Sequence, residues 1–127
     1  MISEPERLSD LERLARAIND EPDHLHGDRT PAVHALIEHG LDALPYVLPL
    51  LEDADQWTRL RAQRVLEGVT RSWTEKRLPS RPLARSGLRA WERLWLENGG
   101  YDWEAAPAER ARSVARWRSW MEDLDTK

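Results

Sequence analysis

Residues 40–66 read "GLDALPYVLPLLEDADQWTRLRAQRVL", and the reading of this stretch decides the fold. Apolar residues recur at helical spacing on both sides of an acidic turn formed by Glu52, Asp53 and Asp55. Two prolines, Pro45 and Pro49, stand inside the first of the two helical segments. Asp42 is suited to cap a helix over 43–52. Pro45 then falls in its first turn, where backbone N–H groups have no intrahelical acceptor and a proline costs little. Pro49 is different, because it deletes the bond to residue 45, so a bend is expected there. After the turn, residues 56–70 predict an arginine-rich helix with Thr58, Ala62, Val65, Leu66 and Val69 facing inward.

Helical periodicity continues in both directions. Ser3 and Glu6 form a capping box in front of a helix over 4–19, with Leu8, Leu11, Ala15 and Ile18 as its stripe. Pro22 and Gly27 break the pattern. A second helix opens at Thr30 with Pro31 in the first position, buries Val33, Leu36 and Ile37, and stops at Gly40. Residues 71–82, "RSWTEKRLPSRP", read as a connector. A fifth helix over 83–97 places Ala84, Leu88, Trp91 and Trp95 on one side and ends at Asn98, Gly99 and Gly100. A sixth begins near Pro107 and carries Ala111, Val114, Trp117, Met121 and Leu124 inward. No apolar/polar alternation or hairpin turn signals a strand. The expectation is one all-α domain over 1–127, made of three antiparallel helix pairs of about 42 residues each. The pairs are a degenerate first one within 1–40, a second at 41–70 and a tryptophan-rich third at 83–125.

The central stretch, 40–69, resembles a HEAT repeat of the short bacterial kind, an armadillo-type helical repeat. Ala43, Leu44, Pro45, Val47, Leu48, Leu50 and Leu51 stand in the family's "A-V-P-x-L-x-x-L-L" pattern. Asp53, Asp55, Thr58, Arg59, Ala62 and Leu66 follow its "D-x-D-x-x-V-R-x-x-A-x-x-x-L" segment, with Thr58 in place of the usual valine. Pro49 and Trp57 depart from it. "PAVHALIEHG" is similar to the second helix of a preceding repeat. The final "YDWEAAPAERARSVARWRSWMED" is similar to a tail that follows such repeats in some bacterial proteins. The resemblance implies a stack whose second helices line a concave face where protein partners dock. It also implies that Arg59 ties down the acidic turn.

Composition narrows the chemistry. There is no cysteine, which excludes disulfides, thiolate metal sites and cysteine nucleophiles. The start lacks a signal-peptide pattern, and no apolar run approaches the ~20 residues of a membrane span, so a cytoplasmic protein is expected. Residues 1–55 carry 13 acidic and 4 basic side chains, and residues 56–127 carry 10 acidic and 15 basic. Within 56–93 the net charge is +7. That polarity suits head-to-tail self-association, an acidic partner or nucleic acid, set against the plain alternative of solvated faces.

The candidate site follows from the fourth helix. At ~100° per residue, Leu60 points away from the core stripe, with Trp57, Arg64 and Arg71 beside it and Arg61 at the border. Aromatic, leucine and arginine side chains of this kind are typical of protein interfaces. His34 and Glu38 of the second helix extend the patch. The competing reading has the 71–82 connector or the last helix pair folded over this face. The loop "DHLHGD" offers Asp23, His24, His26 and Asp28 as weak metal candidates, without a second motif to complete a ligand set. Seven tryptophans and no phenylalanine favour Trp91, Trp95 and Trp117 as core, with Trp120 at the exposed margin. Asp102 with Glu104 or Glu109 makes a carboxylate pair without a cleft signal. No phosphate loop, nucleophile elbow or cofactor fingerprint is present, so no cofactor is implied. A non-enzymatic protein–protein interaction module is the first expectation. Nucleic-acid binding through 56–93 comes second, and a lyase- or glycosylase-type enzyme on the same scaffold third.

Overall fold

The computed structural model describes residues 3–77 and 84–125. Its helices are α1 (Glu4–Arg16), α2 (Pro31–His39), α3 (Leu44–Val47), α4 (Gln56–Lys76), α5 (Ala84–Glu97) and α6 (Pro107–Asp125). Among the described residues there is no strand, and the chain is all-α. The expected start of α5 at Leu83, the inward side chain of Ala84 and connector residues 78–82 lie outside the described residues.

Local chemistry explains most helix ends. Ser3 Oγ accepts from the Glu6 amide at 3.3 Å, as the capping box requires. Thr30 Oγ1 accepts from the Val33 amide at 3.1 Å and donates to the Ile18 carbonyl at 2.9 Å. The cap of α2 thereby also anchors the end of α1. Gly40 stops α2 with φ 68°. Helix α1 ends three residues earlier than expected, at Arg16; it buries Leu11 and Leu14, and Ile18 is buried in the turn that follows. Leu8 is exposed instead, at the edge of a groove it shares with Tyr46, Met121 and Leu124.

The two prolines behave differently, as their positions dictate. Pro45 sits in the first turn of the short α3. Pro49 stands in the 3-10 segment Leu48–Glu52 that follows. A proline there has no N–H to give to residue 45, and the tighter turn continues where the α-helix cannot. A second 3-10 turn, Gly40–Ala43, leads into α3.

Helix α4 is longer than its periodicity suggests and runs through "RSWTEK", which had read as connector. No proline or glycine interrupts those residues. The hydroxyls of Thr70 and Thr74 donate back to the Leu66 and Thr70 carbonyls at 2.7 and 2.9 Å, which satisfies their protons within the helix. Helix α4 is the central element, packed against α2, α5 and the 48–52 turn. None of its residues from 58 to 70 is fully exposed. One continuous core joins Leu11, Leu36, Leu44, Leu51, Leu66, Val114 and Trp117.

The order of packing departs from a regular stack of pairs. Helix α1 lies against α3 and α2 against α4, first helix on first and second on second. The third pair reverses this order: α5 adjoins α4, and α6 adjoins the 48–52 turn. Residues 100–106 impose the reversal. The buried Tyr101 donates its hydroxyl to the Leu51 carbonyl, and the Trp103 amide donates to Gln63 Oε1 at 3.1 Å. Arg59 Nε donates to the Trp103 carbonyl at 3.0 Å. The loop is thus fastened across the turn between α3 and α4, and α6 leaves from that side.

Five indoles close this end of the molecule. Trp91, Trp95, Trp117, Trp120 and Trp73 form a chain of ring contacts with centroids 5.0 to 5.5 Å apart. Trp120 is therefore not marginal, because it stands edge-on to both Trp73 and Trp117. The polar edges are placed too: Trp91 Nε1 donates to Thr70 Oγ1 at 2.9 Å and Trp117 Nε1 to the Gly100 carbonyl at 3.1 Å. Edge and offset ring pairs of this kind add about 0.5–1.5 kcal/mol each beyond burial.

Candidate functional site

The acidic turn organises the start of α4. Asp55 Oδ2 accepts from the amide and the hydroxyl of Thr58, both at 2.9 Å, and Asp53 Oδ2 accepts from the Asp55 amide. The Thr58 amide and hydroxyl hold the Asp55 carboxyl below its ordinary pKa. The Thr58 hydroxyl also accepts from Asn19 Nδ2 at 2.8 Å, tying α4 to the chain after α1. Arg59 reaches the turn as expected, although its partners are backbone rather than carboxylate. Its Nη1 donates to the Asp53 and Ala54 carbonyls, both at 2.9 Å.

The expected partner face is differently built. Arg61, placed at its border by the helical wheel, is only 6% exposed. Its guanidinium donates twice to the Gly27 carbonyl and once to Asn19 Oδ1, and it stacks 4.9 Å from the Trp57 ring centroid. It holds the 20–29 loop and is not available to a partner. Arg64 is half-buried and bonds Asp28 through Nε and Glu67 through Nη1. Burial works against its charge, but these two carboxylates outweigh it and raise the Arg64 pKa. Burial likewise pushes the Asp28 carboxyl up, and the Arg64 bond and charge overcome it, leaving a lowered pKa.

Gly68 explains why the patch is not continuous. A Cβ at this position would meet the Ile37 side chain at 2.7 to 3.0 Å, so α2 crosses α4 there at close quarters. Trp57, Leu60 and Arg64 lie on one side of the crossing. Arg71 lies on the other, about 21 Å from Trp57 along the helix axis, and pairs with Glu75 at 3.4 Å. His34 and Glu38 are exposed on α2 but open onto separate grooves. His34 faces Glu21, Asp23 and Arg29, whereas Glu38 lines hollows shared with His39. Neither joins Trp57. Among the described residues, which exclude connector residues 78–82, α2 and the 20–29 loop are the elements that flank this face.

An apolar surface survives at the start of α4. Trp57 is 45% exposed, its ring beside Gly27, and Leu60 is half-buried outside the packed core. On the neighbouring loop, Leu25 is 87% exposed. Sequence periodicity could not reveal Leu25, since a single leucine between two histidines carries no pattern.

The same loop carries the metal candidates. Asp23 Oδ1 accepts from the Leu25 and His26 amides at 2.8 and 3.1 Å, bonds that lower its pKa and fix the turn. Asp28 is taken by Arg64, and His24 and His26 are exposed. Among the described residues, no group of three His, Cys, Asp or Glu side chains is placed to hold a metal ion.

A cleft at the start of α6 was not legible in the sequence as such. Residues 99–105 and the first half of α6 line an open cleft of about 380 Å³. Asp102 and Glu109 both line it, which brings together one of the sequence-level carboxylate pairs, whereas Glu104 does not. Arg110, Arg112 and Arg116 line it as well. Burial raises the pKa of Tyr101, at its floor, to about 12. No protein-family model matches the chain, and no curated protein or solved structure matches it.

Proposed function

We propose that the chain is a non-enzymatic protein–protein interaction module on a HEAT-like helical scaffold, and that Trp57, Leu60 and Leu25 meet its partner. Two features support the scaffold: the proline, acidic turn and arginine of 40–66, and the packing of α1 on α3 and α2 on α4. The observation that carries the function is the exposed indole of Trp57, with Leu25 almost wholly in solvent on the adjoining loop. Large apolar side chains held in water on a rigid helix end favour a contact surface. Nucleic-acid binding through 56–93 draws less support, because Arg59, Arg61, Arg64 and Arg71 all have internal partners. An enzymatic role draws no observation of its own.

The test compares the parent with Leu25→Asp/Trp57→Ala as bait in a native-host extract, with captured proteins quantified by mass spectrometry. The double variant should keep its helical spectrum and lose the specific partner at least tenfold. Equal capture by both baits refutes the reading. Leu25→Asp alone, at a residue that touches little, provides the same comparison should the indole prove necessary for folding.

A further inference from the structure

Three arginines, Arg110, Arg112 and Arg116, line the cleft between residues 99–105 and α6. Arg112 and Arg116 are one turn apart on α6, and among the described residues neither is engaged in an ion pair. Every arginine of α4, by contrast, has a hydrogen-bonded partner. Arg110 turns inward and donates Nη1 to the Ala105 carbonyl. Its Nε is fully enclosed and has no hydrogen-bond partner among the described residues. The Arg116 side chain folds over Gly99, with Cδ and Nη1 at 3.1 and 3.3 Å from where a Cβ would stand. Glycine at that point leaves the guanidinium room to lie along the backbone. Its φ of 79° is also one that other residues rarely adopt.

We infer that this cleft binds a small ligand through an oxyanion group, a phosphate or a carboxylate, held by Arg110, Arg112 and Arg116. Guanidinium groups match the planar, two-oxygen edge of either group. Asp102 and Glu109 also line the cleft, so its net charge is only +1. A polyanion such as nucleic acid would be repelled by those carboxylates, whereas one compact oxyanion can reach the arginines past them. Ser113 Oγ, which donates to the Gly99 carbonyl over a long 3.4 Å, adds a hydroxyl to the wall. The cleft lies on α6 and residues 99–105, apart from Trp57 and Leu25, and does not depend on the protein-interaction reading.

The test is an amide and arginine side-chain NMR titration of the whole chain with inorganic phosphate in one arm and succinate in the other. Saturable shifts at Gly99, Ser113 and the Arg112 and Arg116 guanidinium groups are expected in at least one arm, and the responsive arm identifies the oxyanion. Arg112→Gln/Arg116→Gln should weaken that binding at least tenfold, since both side chains are exposed and their loss leaves the core intact. Arg93→Gln/Arg118→Gln removes the same charge from exposed positions that do not line the cleft and should leave affinity within about twofold of the parent. Linear, unsaturated shifts in both arms overturn the inference. So does equal weakening by the two double variants, which would reduce the effect to net charge.

Discussion

Replacing Arg59 with alanine tests whether the corner between α3, α4 and the 100–106 loop is one fastened unit. Arg59 makes three hydrogen bonds, to the carbonyls of Trp103, Asp53 and Ala54. Bonds from a charged donor are worth about 1.5–3 kcal/mol each when enclosed. Two of these share one nitrogen, and the half-buried site lets water replace part of the loss. A destabilisation of about 2–3 kcal/mol follows. For a domain of this length, unfolding entropy of about 2 cal/mol/K per residue converts that to a fall in melting temperature of about 8–10 °C. Calorimetry measures it. Amide hydrogen exchange locates it: the Trp103 amide, bonded to Gln63, should lose protection well before the centre of α4. Arg59→Lys should recover less than half, because a single ammonium cannot span the turn and Trp103 together. A melting temperature within about 2 °C of the parent, with Trp103 protection unchanged, refutes the fastening role.

Three further outcomes follow from single contacts. Gly68→Ala gains about 1 kcal/mol of helix propensity but drives a Cβ into Ile37, and overpacking costs about 1–3 kcal/mol. Net destabilisation in a urea melt is therefore expected, relieved by Ile37→Val. Asp28 has a lowered folded pKa, so its pairing with Arg64 contributes stability above the unfolded carboxylate value near pH 3.9. That contribution is lost as pH falls through the folded pKa, and Asp28→Asn should flatten the acid limb of the stability curve. Tyr101 has a raised pKa, so the unfolded chain releases its proton first, and stability should fall as pH rises from about 10 towards about 12. Tyr101→Phe removes that slope, although it leaves the Leu51 carbonyl unpaired at about 1–2 kcal/mol.

Local rules were legible wherever one side chain meets its own backbone. The caps at Ser3 and Thr30, the stop at Gly40 and the break at Pro49 read from spacing alone, because their partners lie within four residues. Asp42, expected to cap, lies instead inside a 3-10 turn, and the cap of α4 is Asp55. Long-range commitments were not legible. Arg61 sits on the border of an amphipathic wheel, and only the fold shows that residues 19 and 27 come to meet it, 42 and 34 positions away. Gly68 reads as a weak point in a helix until Ile37 appears against it. The end of α4 was missed for a related reason. Threonines and a tryptophan lower helix propensity on paper, yet Trp73 stands edge-on to Trp120 and both threonines bond their own helix.

Arginine use separates scaffold from surface more sharply than net charge does. Segment 56–93 carries the +7 excess that suggested a basic face. Its arginines on α4 are the ties of the structure. Arg59 holds the acidic turn and the 100–106 loop, Arg61 holds residues 19 and 27, and Arg64 holds Asp28. A guanidinium whose donors are occupied and whose charge is neutralised projects little field to a partner. The segment after Arg93 is net −2, and charge counting gives it no claim on anions. Yet Arg112 and Arg116 stand there exposed, lining one cleft with Arg110 and without an ion pair among the described residues. If binding capacity follows unoccupied donors, the proposed oxyanion cleft on α6 and the proposed apolar docking surface at the start of α4 are independent of one another. Exchanging the two pairs of substitutions should then exchange the defects: Leu25→Asp/Trp57→Ala should keep the oxyanion response intact, and Arg112→Gln/Arg116→Gln should keep protein capture.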